Sequence, residues 1–462
     1  VLAWTWLLVG CSWFEGPPTT VEAPVAVEAE PAADDERKRK KGRKHKETTP
    51  LFKAFQTMTD RDFEAHILGG EGAPEGTQLR PPPVLTKRQR EEAAALAALG
   101  YVDGEVEAKP GSKDGVRRWE KGAWEGYNLL TPGGHSVAVL MDMAGNEVHR
   151  WGFRVVDAWP SFRAPEGEAF HAESFRRAQV MPNGDLIGLW SGYAIARIDK
   201  DSKLVWGNFL PVHHDFEVLD DGGVMVLTRV AHHVPRIKQQ QPIVEDYLTW
   251  LDPQGRVVNS MSVLEAFEAY DGYDEIWRTR PKQDRDLFHT NTVHLLREDW
   301  SHVHPAFKKG RVLTSMRHLD AIALIDTDAT EVVWALKGTF SRQHDPQVVV
   351  DGRLLLFDNQ GGEGGSSRVL EYDLTTGELA WAYQAMPASS FASGVCGHTQ
   401  RLPNGNTLVN ESTEGRAFEL TPEGEIVWEY RSSFRTTRVG KIISRNYEFW
   451  RLPRAEVEAW LE

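Results

Sequence analysis

The sequence predicts an all-β protein, a six-bladed β-propeller with an N-terminal disordered tether and a short helical segment. Three observations carry this. A hairpin motif ending in Trp recurs between Tyr127 and Arg431. Its six copies have a period of about fifty residues, the size of one four-stranded blade. The chain also holds 40 Gly and 17 Trp, suited to many tight turns and many large packing side chains. At 462 residues it is too long for one compact core. The formal charge is −14, from 53 basic and 67 acidic residues, and eight of the basic ones fall in Arg37–Lys46. A body that acidic argues against nucleic acid as a partner. No apolar run reaches the roughly 18 residues of a spanning helix. Two cysteines, Cys11 and Cys396, exclude a disulfide scaffold and a four-cysteine zinc site.

Residues 1–11 read as a lipoprotein-type signal segment, an apolar stretch ending in Leu8-Val9-Gly10 before Cys11, the expected lipidation site. Residues 12–84 form the tether, rich in Pro, Ala and Glu and then basic, without apolar periodicity. Its basic run suits a stalk near anionic lipid headgroups. The expected location is the bacterial cell envelope, lipid-anchored and facing the periplasm or the cell exterior. Residues 85–126 are a helical lead-in, with a helix over 85–101 ending at Gly100. Residues 127–462 are the propeller.

The repeating hairpins are VLMDMAGNEVHRW, ARIDKDSKLVW, LIDTDATEVVW, EYDLTTGELAW and ELTPEGEIVW, ending at Trp151, Trp206, Trp334, Trp381 and Trp428. TWLDPQGRVVNSM is a sixth copy without the Trp. Asp, Gly, Asn and Thr supply the turns and β-branched residues flank them. The Trp residues pack between blades. Before most hairpins lies an inner pair of strands: AQVMPNGDLIGLW, HHDFEVLDDGGVMVLT, HTNTVHLL with GRVLTSM, QHDPQVVVDGRLLLFDN and GHTQRLPNGNTLVNES. The first unit keeps only its outer half at the N-terminus, so residues 441–453 are expected to complete it.

Of 16 histidines, several fall just before the first strand of successive repeats: His213-His214, His289, His344 and His398, with Gln179 in the corresponding place of another. First strands line the channel of a propeller, so these positions converge at one mouth. Arg317 closes a second strand and can reach the same mouth. His232, His233, His302 and His304 stand outside the pattern as loop residues, with His318 as support for the cluster.

The stretches HHDFEVL, FHTNTVHLL, VLTSMRH, QHDPQVVVDGRLLLFDN and GHTQRLPNGNTLV resemble the bacterial arylsulfotransferase family over roughly residues 120–431. That family consists of six-bladed propellers that move a sulfuryl group from an aryl sulfate to a phenol without a nucleotide donor. The resemblance implies His214, His289, Arg317 and His344 as active-site residues, with His344 as covalent nucleophile, and an aryl sulfate and a phenol as partners. It implies no cofactor and no metal. In the better-known members a large N-terminal β-domain stands where this sequence reads as a tether and one helix, and a disulfide lies near the active site, whereas here Cys396 has only Cys11 as a partner, which lipidation would take up.

The chemistry suits those residue types. Sulfuryl transfer needs an in-line nucleophile and stabilisation of charge on the equatorial and leaving oxygens. Neutral imidazole is a competent nucleophile near pH 7. Arg317 offers a permanent charge and a planar donor fork. His213, His398, His318, Asp215, Asp345 and Gln179 are expected as substrate-binding or supporting residues. Two other readings stay open at this point: a lyase- or lactonase-type metal site with Asp215 and Asp345 as possible ligands, and a surface-anchored binding propeller. DTDATEVVW is not a calcium loop, because Glu331 replaces the required Gly. GGEGG at 361–365 lacks the end of a P-loop. Cys396 reads as a free buried thiol.

Overall fold

The computed structural model describes residues 106–107, 113–160, 162, 172–278, 285–435 and 442–461. The signal segment with Cys11, the tether and the helix over 85–101 lie outside the described residues.

Alternating hairpins build six antiparallel sheets around a common axis. Blade 2 contains Arg177–Val180, Leu186–Trp190, Ala194–Ile198 and Leu204–Asn208, in sequence order from inner to outer edge. Blade 3 contains Val212–Val218, Val224–His232, Ile243–Leu251 and Val257–Ser262. Blade 4 contains His294–Leu295, Val312–Met316, Ala321–Asp326 and Glu331–Lys337. Blade 5 contains His344–Val349, Arg353–Asp358, Arg368–Asp373 and Leu379–Tyr383. Blade 6 contains His398–Arg401, Thr407–Glu411, Arg416–Leu420 and Ile426–Arg431, with Gly115–Trp119 added outside as a fifth strand. That strand corrects the expected helical lead-in. Its backbone finds its partners on the open edge of Ile426–Arg431, with Trp119 opposite Trp428.

Blade 1 closes the ring. Its inner strand is Asn446–Leu452, paired antiparallel with Tyr127–Pro132 so that Leu452 opposes Tyr127; Val137–Met141 and Glu147–Gly152 follow. The N-terminal part therefore supplies three strands of this blade, more than the outer half read from the hairpin alone.

Burial follows position in the blade. Second strands such as Leu186–Trp190, Val312–Met316 and Thr407–Glu411 are buried throughout, whereas the outer strand Leu204–Asn208 is mostly exposed. Trp side chains bind neighbouring blades together. Trp151 Nε1 donates to Gly184 O of blade 2, Trp428 Nε1 to Met143 O of blade 1 and Trp381 Nε1 to Pro422 O of blade 6, each at 3.0 Å. Trp206 packs on the blade 3 turn at Gly255, where φ is +77° and a Cβ would lie 2.4 Å from the indole. Only glycine meets both demands. In the outer turns a carboxylate caps the backbone: Asp142 Oδ1 accepts from Ala144 N and Asn146 N, and Asp252 Oδ1 from Gln254 N and Arg256 N. Asp326 of DTDATEVVW does the same for Ala329 N while pairing with Arg311, which makes that segment a hairpin turn.

His232 corrects another expectation. It ends the strand Val224–His232 and its Nε2 meets Glu245, so it is part of the blade 3 sheet and not a loop residue.

Removing residues 446–462 would leave Tyr127–Pro132 with a bare edge facing the channel. The truncated chain is expected to lose its cooperative thermal transition, read by circular dichroism. A melting curve matching that of the whole chain would show that ring closure is not needed for folding.

Candidate active site

Every inner strand starts at the same end of the channel, and the side chains there meet. His344 is the first residue of its strand and His398 the first of the next; the two occupy equivalent ladder positions, opposite Phe357 and Asn410. His214 lies at the bulge between Val212 and Phe216 in blade 3. His289 precedes Thr290, which bridges to Met316 in blade 4. The His214 ring centroid lies 4.9 Å from His289 and 6.5 Å from His344, and His289 lies 4.6 Å from His318. The expected histidines of blades 3, 4 and 5 are thus assembled in one cluster. His214, His289 and His344 are only 6, 8 and 5 % exposed.

Gln179 is not part of it. The turn MPNG of blade 2 aligns with LPNG of blade 6, which makes Arg177 the counterpart of His398 and Gln179 that of Gln400, two residues deeper in the strand. His398 is near the cluster but consumed by structure. It stacks on Trp450 at 4.3 Å, its Nε2 donates to Phe449 O at 3.0 Å, and its Nδ1 accepts from Asn410.

Hydrogen bonds set the tautomer of each key imidazole. His344 Nδ1 lies 2.7 Å from Asn359 Oδ1 and 3.1 Å from Arg342 O. The Asn359 amide has a fixed orientation, because its Nδ2 donates to Ser393 O and Cys396 O, both at 2.6 Å. Two acceptors therefore face Nδ1, which carries the hydrogen, and the lone pair falls on Nε2. In blade 3, His213 Nε2 donates to Thr228 O at 3.3 Å, so His213 Nδ1 is the acceptor for His214 Nδ1–H at 2.9 Å. In blade 4, His289 Nδ1 donates to Asp286 Oδ2 at 2.6 Å. His318 Nδ1 donates to Asp286 O at 2.8 Å, which leaves its Nε2 to accept from Arg317 Nη1 at 3.2 Å and steady the guanidinium. Asp286 and Asn359 are positioning residues that sequence reasoning missed. The only available signal was the spacing Asp286-x-x-His289; nothing local marks Asn359, 15 residues from its partner.

Asp215 and Asp345 work as staples between blades. Asp215 Oδ2 accepts from Val293 N of blade 4, and Asp345 Oδ2 from Thr399 N of blade 6. Arg177 is held by Asp215 at 2.8 Å and Glu448 at 2.5 Å, with its guanidinium 4.9 Å from the Trp450 ring. Burial raises the Asp215 carboxyl despite Arg177 and raises Asp345 well above the usual range.

The backbone is strained here. Eight non-glycine residues among those described have positive φ; Ser202 and Thr330 are in outer turns, and the other six are His214, His289, Asp320, Arg342, Asp345 and Cys396. Each such conformation costs on the order of 1–3 kcal/mol and persists only where its surroundings enforce it. Cys396 is buried and forms no disulfide among the described residues.

Burial keeps the imidazoles neutral. It pushes His344 well below the ordinary range, helped by the charge of Arg317 and then of Arg176. It does the same to His213 and His214. His289 is pushed down to about 4 by burial, against the pull of Asp286. Positive charge at this end comes from guanidinium groups.

The set Asp286, His289 and His318 brings three candidate ligand atoms within 4.8 Å of one another. His289 Nδ1 and both nitrogens of His318 are engaged in the hydrogen bonds above, and the Arg317 guanidinium lies against His318, which disfavours a cation there. The opposite mouth has a larger cavity, about 850 Å³, lined by His294, Trp300 and Arg297 among others. Its Arg353 and Arg401 both converge on Glu371, and only one histidine faces it, so the site chemistry belongs to the narrower end.

These features define a propeller whose channel end combines neutral imidazoles with a guanidinium. The sequence profile described as Arylsulfotransferase (ASST) matches residues 177–433, more than half of the chain. The chain belongs to the arylsulfotransferase family. No curated relative matches it. Among solved structures, a protein of unknown function from Bacteroides caccae aligns at 11% identity, over 69% of this chain and 97% of its own, with a TM-score of 0.45. A streptogramin B lyase aligns at 10% identity, over 72% and 94%, with a TM-score of 0.38. Virginiamycin B lyase from Staphylococcus aureus aligns at 12%, over 60% and 83%, with a TM-score of 0.34.

A pH dependence of stability follows from the buried imidazoles. His289, His294 and His398 titrate near 4 in the fold, against about 6.5 in the unfolded chain. As pH falls through that window the unfolded chain binds protons first, so stability present above about pH 6.5 is lost towards pH 4. The raised carboxyls of Asp215, Glu217, Asp246, Asp345 and Glu411 act in the opposite direction, but the depressed imidazoles, which also include His213, His214 and His344, outnumber them. Calorimetry is expected to show a melting temperature lower at pH 5 than at pH 7; an equal or higher value would contradict buried neutral imidazoles.

Proposed function

We propose that the protein transfers a sulfuryl group from an aryl sulfate to a phenol through a sulfohistidine on His344. The observation that supports this best is the tautomer of His344: Asn359 and Arg342 hold the hydrogen on Nδ1, so the nucleophilic pair is on Nε2. In the first half-reaction Nε2 attacks sulfur, the N–S bond forms, and the ester S–O bond breaks. The donor phenolate leaves with that electron pair and takes a proton from water. Nδ1–H stays on Asn359 and delocalises the positive charge of the ring. In the second half-reaction an acceptor phenol gives its proton to His289, attacks sulfur, and releases His344 unchanged. Asp286 stabilises the imidazolium of His289 until that proton returns to water. Arg317 faces the sulfonate oxygens, where charge accumulates in the transition state, while His214, whose Nδ1–H is given to His213, packs against His289.

Depressed basicity has a use here. An imidazole titrating near its ordinary value would be largely protonated below about pH 6 and lost as a nucleophile. His344 is kept available at acid pH by burial and by Arg317. The acid limb of kcat is therefore expected below pH 6; a limb at the free imidazole value would show that His344 is not the nucleophile or is not buried.

The decisive test incubates wild type and His344→Ala with a chromogenic aryl sulfate, with and without phenol. Phenol-dependent turnover is expected only in the wild type, and intact mass should show one added SO3 on wild type without acceptor. Equal rates in both proteins would remove His344 from the mechanism. Asn359→Ala should lower kcat roughly tenfold or more by releasing the tautomer, with a smaller change in KM. An unchanged kcat would limit Asn359 to packing.

A further inference from the structure

Neutral histidines create a charge problem at this end. A sulfate ester arrives as a monoanion, the propeller around it is acidic overall, and His214, His289 and His344 carry no positive charge near neutral pH. Arg317 alone supplies one guanidinium, from blade 4.

Arg176 supplies a second, from blade 2. It immediately precedes the inner strand Arg177–Val180, and its backbone N–H donates to Leu189 O at 2.8 Å, which fixes it at the same end as the first residues of the other inner strands. Its side chain lines the small cavity shared by His214, His344 and His398. The guanidinium lies 5.1 Å from the ring centroid of Tyr447, a residue 1 % exposed, so the cation is braced on an aromatic face that cannot itself swing away. Its charge is felt by His214, His344 and His398, three imidazoles from three different blades. The adjacent Arg177 is held by Asp215, Glu448 and Trp450 as a structural plug of the channel.

We infer that Arg176 is a second sulfonate-binding guanidinium, which holds the sulfonate oxygens together with Arg317. The inference rests on the sulfuryl-transfer reading. Two planar forks can share the sulfonate oxygens between donors while leaving the line from His344 Nε2 through sulfur to the leaving oxygen open.

The test uses an aryl sulfonate, whose C–S bond cannot transfer, as an inert probe of the bound ground state. Calorimetric titration compares wild type, Arg176→Gln and Arg176→Lys, each first checked for an unchanged melting temperature. Loss of one charge-assisted contact should weaken binding roughly tenfold to a hundredfold in Arg176→Gln, with partial recovery in Arg176→Lys, which keeps the charge but not the fork. KM for the aryl sulfate should rise in parallel. If Arg176→Gln binds the sulfonate as wild type does while wild type transfers sulfuryl groups, Arg176 has no such role and the transfer reading stands. If wild type neither binds the sulfonate nor forms the sulfo adduct, both fall together. Lysine binding as weakly as glutamine would show that the fork geometry, and not the charge alone, carries the contact.

Discussion

The pairing of Asn446–Leu452 with Tyr127–Pro132 is the constraint on which the rest depends. An open row of six sheets would leave an unpaired edge and an unfilled axis. Joining the two ends of the described propeller into one blade removes that edge and forces all six inner strands to start at one end of one channel. Residues 55 and 75 positions apart in sequence then become neighbours, as His289 is of His344 and of His214. The same closing strand brings Tyr447, Glu448 and Trp450 to the channel, where they brace Arg176, Arg177 and His398 in turn.

The fold was legible because its signal is redundant. A hairpin with an Asp- or Gly-bearing turn and a terminal Trp can fail in one copy, as at Met261, without hiding the period. The site was legible only in part. His213, His214, His289 and His344 recur at strand starts, and that periodicity survives in one dimension. Gln179 was misplaced by two residues because blade 2 has no histidine to mark its start; counting back from MPNG would have found Arg177 and, beside it, Arg176. Asn359 and Asp286 left weaker traces. Their importance lies in which end of an amide or carboxylate faces a ring, and orientation has no sequence signature. Gly115–Trp119 escaped notice because a strand with two adjacent arginines on an outer edge lacks the alternation that marks a half-buried one.

Electrostatics divides the work at this end between two kinds of group. Burial suppresses protonation of the imidazoles, and in the proposed transfer this keeps lone pairs for attack and proton uptake. Guanidinium groups, too basic to lose their charge, would there hold the anion that protonated histidines could otherwise hold. Mixing the two roles in one residue type would have coupled nucleophilicity to pH. Asp215 and Asp345, which could have served as metal ligands in a differently wired channel, are spent tying blades 3 and 5 to their neighbours.

The left-handed backbone at His214 and His289 has an evolutionary consequence. At such positions glycine would be the more comfortable residue, so random drift toward a sturdier protein runs through changes that delete an imidazole at the channel. Selection for robustness and selection for chemistry pull on the same two codons. A descendant freed from its reaction would be recognisable by glycines in those places, in an otherwise intact ring.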